Sequence, residues 1–232
     1  MNKIRLLQAI HAEGVVAVLR ADSYEQVVEM AEQAIAGGIR VIEITLTVPH
    51  ALRAIEQLSM KYSSDPQSDR PYAIIGAGTV LDPATARAAM LAGSDFIVSP
   101  SLDPETVKIC NLYQVPMMPG TMTIKDVQHA LELGVDIVKL FPGNMFAPSI
   151  IQTLKGPLPQ ANFMPTGGVN VSNIGEWLRS GAVAVGIGSD LTKEAVATGD
   201  MSHVRKQAER YRQAYDQAKA ELSAKTEVAV RS

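Results

Sequence analysis

Only one cysteine, Cys110, stands in the 232 residues, which excludes an internal disulfide. Its helical surroundings, residues 105–113, suit a packed structural thiol better than a nucleophile. The four histidines, His11, His50, His129 and His203, lack metal-ligand spacing to one another, so no protein-built metal site is expected. Basic excess is missing too: a net charge of -3 offers nothing to attract nucleic acid, and there is no acidic tail. No apolar run approaches the roughly 20 residues of a membrane helix, and residues 1–10 lack the pattern of a secretory signal peptide. These absences lead us to expect a cytoplasmic protein whose partners are small molecules or copies of itself.

What is present is ordinary globular material, with 47% apolar residues and 17 glycines. Residues 2–12 predict a short leading helix from the apolar spacing of Ile4, Leu7 and Ile10. Then comes Val15-Val-Ala-Val-Leu19, a continuous apolar run of strand length, and Ala21-Asp22-Ser23 supplies a cap for a helix over 24–36. The unit recurs along the chain. Further strands are predicted at 41–46, 73–78, 95–99 and 116–119, within the run 135–143 that contains Lys139, and at 162–166 and 183–187, each followed by a helical pattern. Helix starts are marked by Pro49, Asp82-Pro83, Asp103-Pro104 and Thr123, and stops by Gly37, Gly93 and Gly134. A long helix over 201–222 closes the series. The spacing of eight such strands, roughly 20 to 32 residues, predicts an α/β fold of the (β/α)8 TIM barrel type with an extra N-terminal helix. An open doubly wound sheet is the alternative, but the first βα turn lacks a Gly-x-Gly-x-x-Gly fingerprint. One domain over 1–222 and a flexible tail over 223–232 are expected.

In a barrel, chemistry gathers at the C-terminal ends of the strands. Lys139 and Glu43 interrupt two of them, where an ionisable group has little structural excuse. A desolvated lysine favours its neutral, nucleophilic form, which suits Schiff-base formation with a keto substrate; a lysine snorkelling from a strand end is the plainer reading. Glu43 reads either as a general acid/base for that chemistry or as half of a buried salt bridge. Glycine-rich turns at Pro165-Thr-Gly-Gly-Val-Asn170 and Gly186-Ile-Gly-Ser-Asp190 let backbone N–H groups approach an anion, and a short helix after Ser189 would add its dipole. Glycines also close tight turns with no ligand at all.

Several strand-end segments occur in register: Glu43-Ile-Thr-Leu-Thr-Val-Pro49, Gly76-Ala-Gly-Thr-Val80, Val98-Ser-Pro100, Met118-Pro-Gly120, Lys139-Leu-Phe-Pro-Gly143, Leu154-Lys-Gly-Pro157 and Pro165-Thr-Gly-Gly168. Together they resemble the 2-keto-3-deoxy-6-phosphogluconate (KDPG) and 4-hydroxy-2-oxoglutarate (KHG) aldolases, from about residue 3 to residue 215. The resemblance implies a class I, metal-independent and cofactor-free lyase that cleaves KDPG to pyruvate and glyceraldehyde 3-phosphate, with KHG as a further substrate. It implies Lys139 as the Schiff-base residue, Glu43 as acid/base and Thr79 on the pyruvyl carboxylate. Pro100 and Phe141 would line the pyruvyl methyl pocket, and Thr166, Gly167, Gly168, Gly188 and Ser189 would hold the phosphate. A homotrimer is likewise implied. The pattern departs at Thr47, where many members carry a carboxylate-binding arginine. Arg20, which ends the neighbouring strand, is expected to take over that contact; bracing Glu43 is its other reading. A different sugar-phosphate enzyme, or a binder of phosphorylated acids, stays open on the residues alone.

Overall fold

A computed structural model of the chain describes residues 3–231, with side chains described through residue 224. Helix α1 (Lys3–Glu13) leads into β1 (Val15–Leu19). Helix α2 (Tyr24–Ala36) begins where the Ser23 hydroxyl accepts the Gln26 N–H at 3.2 Å. After β2 (Val41–Thr45), helix α3 (Ala51–Lys61) starts two residues beyond Pro49, behind a left-handed His50 (φ 58°). Next come β3 (Ile74–Gly78), α4 (Pro83–Leu91), β4 (Phe96–Val98) and α5 (Pro104–Leu112). Both helices carry proline in the first turn, behind an aspartate whose carboxylate accepts a first-turn N–H: Asp82 from Thr85 at 2.7 Å and Asp103 from Thr106 at 2.9 Å. Strands β5 (Met117–Met118) and β6 (Gly120–Thr121) precede α6 (Ile124–Glu132), which opens with a reciprocal capping box of Thr123 and Asp126. The chain continues through β7 (Val138–Leu140), α7 (Ile150–Lys155), β8 (Phe163–Pro165), α8 (Ile174–Arg179), β9 (Val185–Ile187) and α9 (Ser189–Thr198). Helix α10 (Ser202–Arg231) ends the series; the side chains of most of the expected tail lie outside the described residues.

The strands are all parallel, but they form two sheets where one eight-stranded sheet was expected. The larger has the order β5-β4-β3-β2-β1-β9 and the smaller β6-β7-β8. The cause of the first seam is Pro119: it has no N–H to give a ladder, and only its carbonyl contributes, accepting the Lys139 N–H at 3.0 Å. At the other seam β8 and β9 meet through isolated bridges, Phe163 to Ala182 and Thr166 to Gly186.

Apolar side chains pack on both faces of the strands, as buried parallel sheets require. One layer lies under the surrounding helices and includes Leu19, Ile42, Ile44, Ile97, Leu140 and Tyr211. The other joins both sheets: Val16, Val41, Ile74, Phe96, Met118, Ile137, Met164 and Ala184 meet Leu6 and Ile10 of α1. Each of these side chains larger than alanine is worth roughly 1.5–3 kcal/mol when buried. Helix α1 is pinned there by Lys3, whose Nζ lies 2.9 Å from Asp136 Oδ2 just before β7. The connection after α3 sits on this side as well, since Ser64 donates to Asp95 at 2.9 Å at the start of β4. Side chains alternate along a strand. Two residues beyond Val41 and Ile137, towards the strand C-termini, that same face therefore carries Glu43 and Lys139.

Candidate active site

Lys139 is 4% exposed and Glu43 fully buried, with Lys139 Nζ 3.9 Å from Glu43 Oε1. That distance is an ion-pair contact and too long for a hydrogen bond; indeed neither carboxylate oxygen of Glu43 has a hydrogen-bond partner. Burial pushes the Glu43 carboxyl above its ordinary range, while the charges of Lys139 and Arg20 pull the other way. A carboxyl so placed keeps its proton to higher pH than an ordinary glutamate does. The Phe141 ring stands over the amine, 4.8 Å from Nζ to the centroid.

Glycines make room for this pair. A Cβ at Gly78 would fall onto Glu43 Oε1, and one at Gly76, in register with Glu43, would strike the Phe96 ring. The carboxylate thus occupies a space that a side chain on β3 would fill. On the next turn Thr79 takes a left-handed conformation (φ 58°), unusual for a β-branched residue and of the kind that gathers at functional sites. Pro100 lies two residues beyond β4, and its carbonyl fills the position of a side chain at Gly120. Thr45 donates to the Leu19 carbonyl at 3.1 Å and lies 2.9 Å from the Thr47 hydroxyl, which ties the end of β2 to β1 beside the exposed Arg20.

The two glycine turns face each other across the β8–β9 seam. Gly167 and Gly168 have φ of 94° and 76°, and the Thr166 hydroxyl is buried without a partner in space left by Gly186. The Gly143 N–H donates to Thr166 O at 2.8 Å, so the loop after Lys139 is fastened to this turn. Helix α9, ten residues long, starts at Ser189 behind Gly188. Arg20, Phe141, Thr166, Gly167, Gly168, Gly188 and Ser189 line one cavity of about 780 Å³. Phe141 therefore connects that cavity with the Lys139 amine. Thr79 and Pro100 stand apart from the cavity wall, at the ends of β3 and β4.

Sequence reasoning passed over Asn170, Asp190, Thr192 and Lys193, which also line the cavity, and the space-making role of Gly78 and Gly186. The glycines had a signal, since both fall on the inward positions of their strands. Cys110 is buried, and burial pushes its thiol up to about 12, in keeping with a packed, inert thiol. Among the described residues no three His, Cys, Asp or Glu side chains converge where they could hold a metal ion, and no helix is long and apolar enough to cross a membrane.

Parallel strands whose C-terminal ends hold a buried lysine, a carboxyl without hydrogen bonds and a cavity lined by two glycine turns have the form of an α/β enzyme site. The sequence places the chain within one family of that class. It belongs to the KDPG and KHG aldolases, whose family model matches residues 7–207. It is 34% identical over 194 residues to the 2-dehydro-3-deoxy-phosphogluconate aldolase of Pseudomonas aeruginosa, covering 83% of this chain and 84% of that one. With the KHG/KDPG aldolase of Escherichia coli K12 the identity is 32% over 196 residues, covering 84% and 88%. Among solved structures, KDPG aldolase from Legionella pneumophila, with pyruvate captured at low pH as a covalent carbinolamine intermediate, superposes with a TM-score of 0.75 at 30% identity. That match covers 87% of this chain and 95% of the other.

Proposed function

We propose that this protein is a class I aldolase that cleaves KDPG to pyruvate and glyceraldehyde 3-phosphate through a Schiff base on Lys139. The observation that carries the reading is the buried Lys139 amine beside a Glu43 carboxyl with no hydrogen bonds of its own. Passing one proton from the ammonium to Glu43 leaves a neutral pair, which so buried a position tolerates better than two charges, and a free amine.

The amine adds to the C2 carbonyl to give a carbinolamine, the kind of adduct named for the Legionella enzyme. Loss of water then gives the iminium. Removal of the C4 hydroxyl proton breaks the C3–C4 bond, whose electrons pass to the iminium nitrogen. Glyceraldehyde 3-phosphate departs and an enamine is left. Protonation at C3 and addition of water release pyruvate and restore the amine. Glu43 takes and returns the protons, directly or through a water.

Arg20 and Thr79 hold the pyruvyl carboxylate in this reading, Arg20 supplying the cation that Thr47 cannot. Pro100 and Phe141 flank the methyl group. Thr166, with its free hydroxyl, and the backbone of Gly167, Gly168, Gly188 and Ser189 receive the phosphate, with α9 adding its N-terminal dipole. The two sheets together close a (β/α)8 barrel, with Pro119 and the β8–β9 bridges as its two seams and α1 covering its N-terminal end. The barrel is one domain over 1–222, working as a homotrimer in the cytoplasm.

Pyruvate release from KDPG, from its galactonate epimer and from KHG tests the function. A charged hydrogen bond is worth about 1.5–3 kcal/mol, so the phosphate cradle predicts a kcat/KM for KDPG at least about tenfold above that for KHG. Pyruvate from none of the three would end the aldolase reading, and equal efficiency on all would end the phosphate assignment.

A further inference from the structure

Tyr211 is fully buried in the middle of α10 and takes no part in the cavity wall. Its hydroxyl nevertheless reaches both loops that form the cradle. It lies 2.7 Å from Asp190 Oδ2 and 3.2 Å from the carbonyl of Val169. Asp190 directly follows Ser189, and Val169 directly follows Gly168. The hydroxyl has one proton for two acceptors. The carboxylate takes the short, charge-assisted bond, and the carbonyl the weaker share.

Asp190 is engaged from other sides as well. Gln207, also on α10, donates to the same Oδ2 at 2.9 Å, and Lys193 Nζ lies 2.7 Å from Oδ1. Burial works against the Asp190 charge, but the bonds from Lys193, Tyr211 and Gln207 hold its carboxyl below the usual range. Asp190 therefore carries a negative charge in the first turn of α9, beside a site built for an anion. Left unheld, it would repel a phosphate or compete for the N–H groups at the helix start. Its donors come from α10 and from Lys193, and they leave those N–H groups to a ligand.

We infer that Tyr211 is a positioning residue for phosphate: through Val169 and Asp190 it sets the spacing of the two glycine turns and keeps the Asp190 carboxylate from the anion. The inference rests on reading that cradle as the phosphate site. A merely structural tyrosine would affect every substrate alike. Tyr211 acting on the cradle alters only ligands that carry phosphate.

Tyr211→Phe keeps the ring and removes the hydroxyl. Losing one hydrogen bond to a charged group predicts about a tenfold rise in the Kd for inorganic phosphate and in the KM for KDPG. kcat/KM for KHG and the yield of the borohydride-trapped pyruvyl adduct on Lys139 should match those of the unmodified protein. An unchanged phosphate Kd, or equal loss on KDPG and KHG, overturns the inference. Gln207→Leu, at a half-buried position, removes a second donor to Asp190 and should raise the phosphate Kd in the same direction by less. It decides the matter if Tyr211→Phe does not fold, with an unchanged Kd again counting against us. Should the unmodified protein give no pyruvyl adduct, the aldolase reading falls, while the phosphate comparison still judges Tyr211.

Discussion

Lys139 Nζ stands 3.9 Å from Glu43 Oε1 in a site where neither carboxylate oxygen has a hydrogen-bond partner among the described residues. Among the described residues neither group has another ion pair, although the Arg20 charge also pulls on Glu43 from farther off, and both stand one step above a wholly apolar layer. Breaking such a pair by removing one partner leaves an uncompensated charge, a change that typically costs several kcal/mol.

Glu43→Gln separates charge from shape. Loss of a general acid/base predicts a fall in kcat of about 10²- to 10⁴-fold. In the unmodified protein, the acid limb of the kcat–pH profile should lie above the ordinary 4.5 of a glutamate, because burial raises this carboxyl; the variant should lack that limb.

The same shift fixes a sign for stability. A raised folded-state pKa means that the native protein holds the proton more tightly than the unfolded chain. The contribution is complete below about pH 4.5, the ordinary value, and is lost as pH rises through the higher folded value. Denaturant unfolding of the two proteins should therefore favour Glu43→Gln increasingly as pH climbs through that window. A difference that moves the opposite way would contradict the raised carboxyl.

Gly78→Ala puts a methyl group where the Glu43 carboxylate lies. Overpacking of this kind costs about 1–3 kcal/mol, and displacing the carboxylate by about an ångström costs on the order of 100-fold in rate. Gly76→Ala meets the Phe96 ring instead. It should destabilise comparably while sparing activity at a temperature where it is folded. Thermal unfolding with steady-state rates on both variants separates the two effects.

Arg20→Met removes an exposed cation, so stability should change by no more than about 0.5 kcal/mol. Pyruvate affinity should fall about ten- to 100-fold, as for one lost charge-assisted hydrogen bond. An unchanged affinity for pyruvate rules out Arg20 as the replacement for the arginine missing at Thr47.

Much of this was legible in the chain itself. The Asp-Pro pairs at 82–83 and 103–104 announce helix starts by a local mechanism, and the helices begin there. Lys139 and Glu43 were visible because a charge within an apolar strand has few explanations. Pro119 was harder: its missing N–H opens a seam only once its neighbours are known, so a single strand was expected where two short ones occur. Tyr211 was invisible, since its partners lie 21 and 42 residues away and helical periodicity gives a face without naming what that face meets. Gly78 had the right alternation, but its purpose depends on a carboxylate that arrives from another strand.

Every other role at this site depends on the Lys139 amine forming an imine with a keto acid. Incubation with pyruvate and borohydride, followed by peptide mass spectrometry, tests it most directly. One reduced pyruvyl adduct is expected, on Lys139, and it disappears in Lys139→Ala. An intact Lys139 peptide after complete reduction, or an adduct on another lysine, would contradict it.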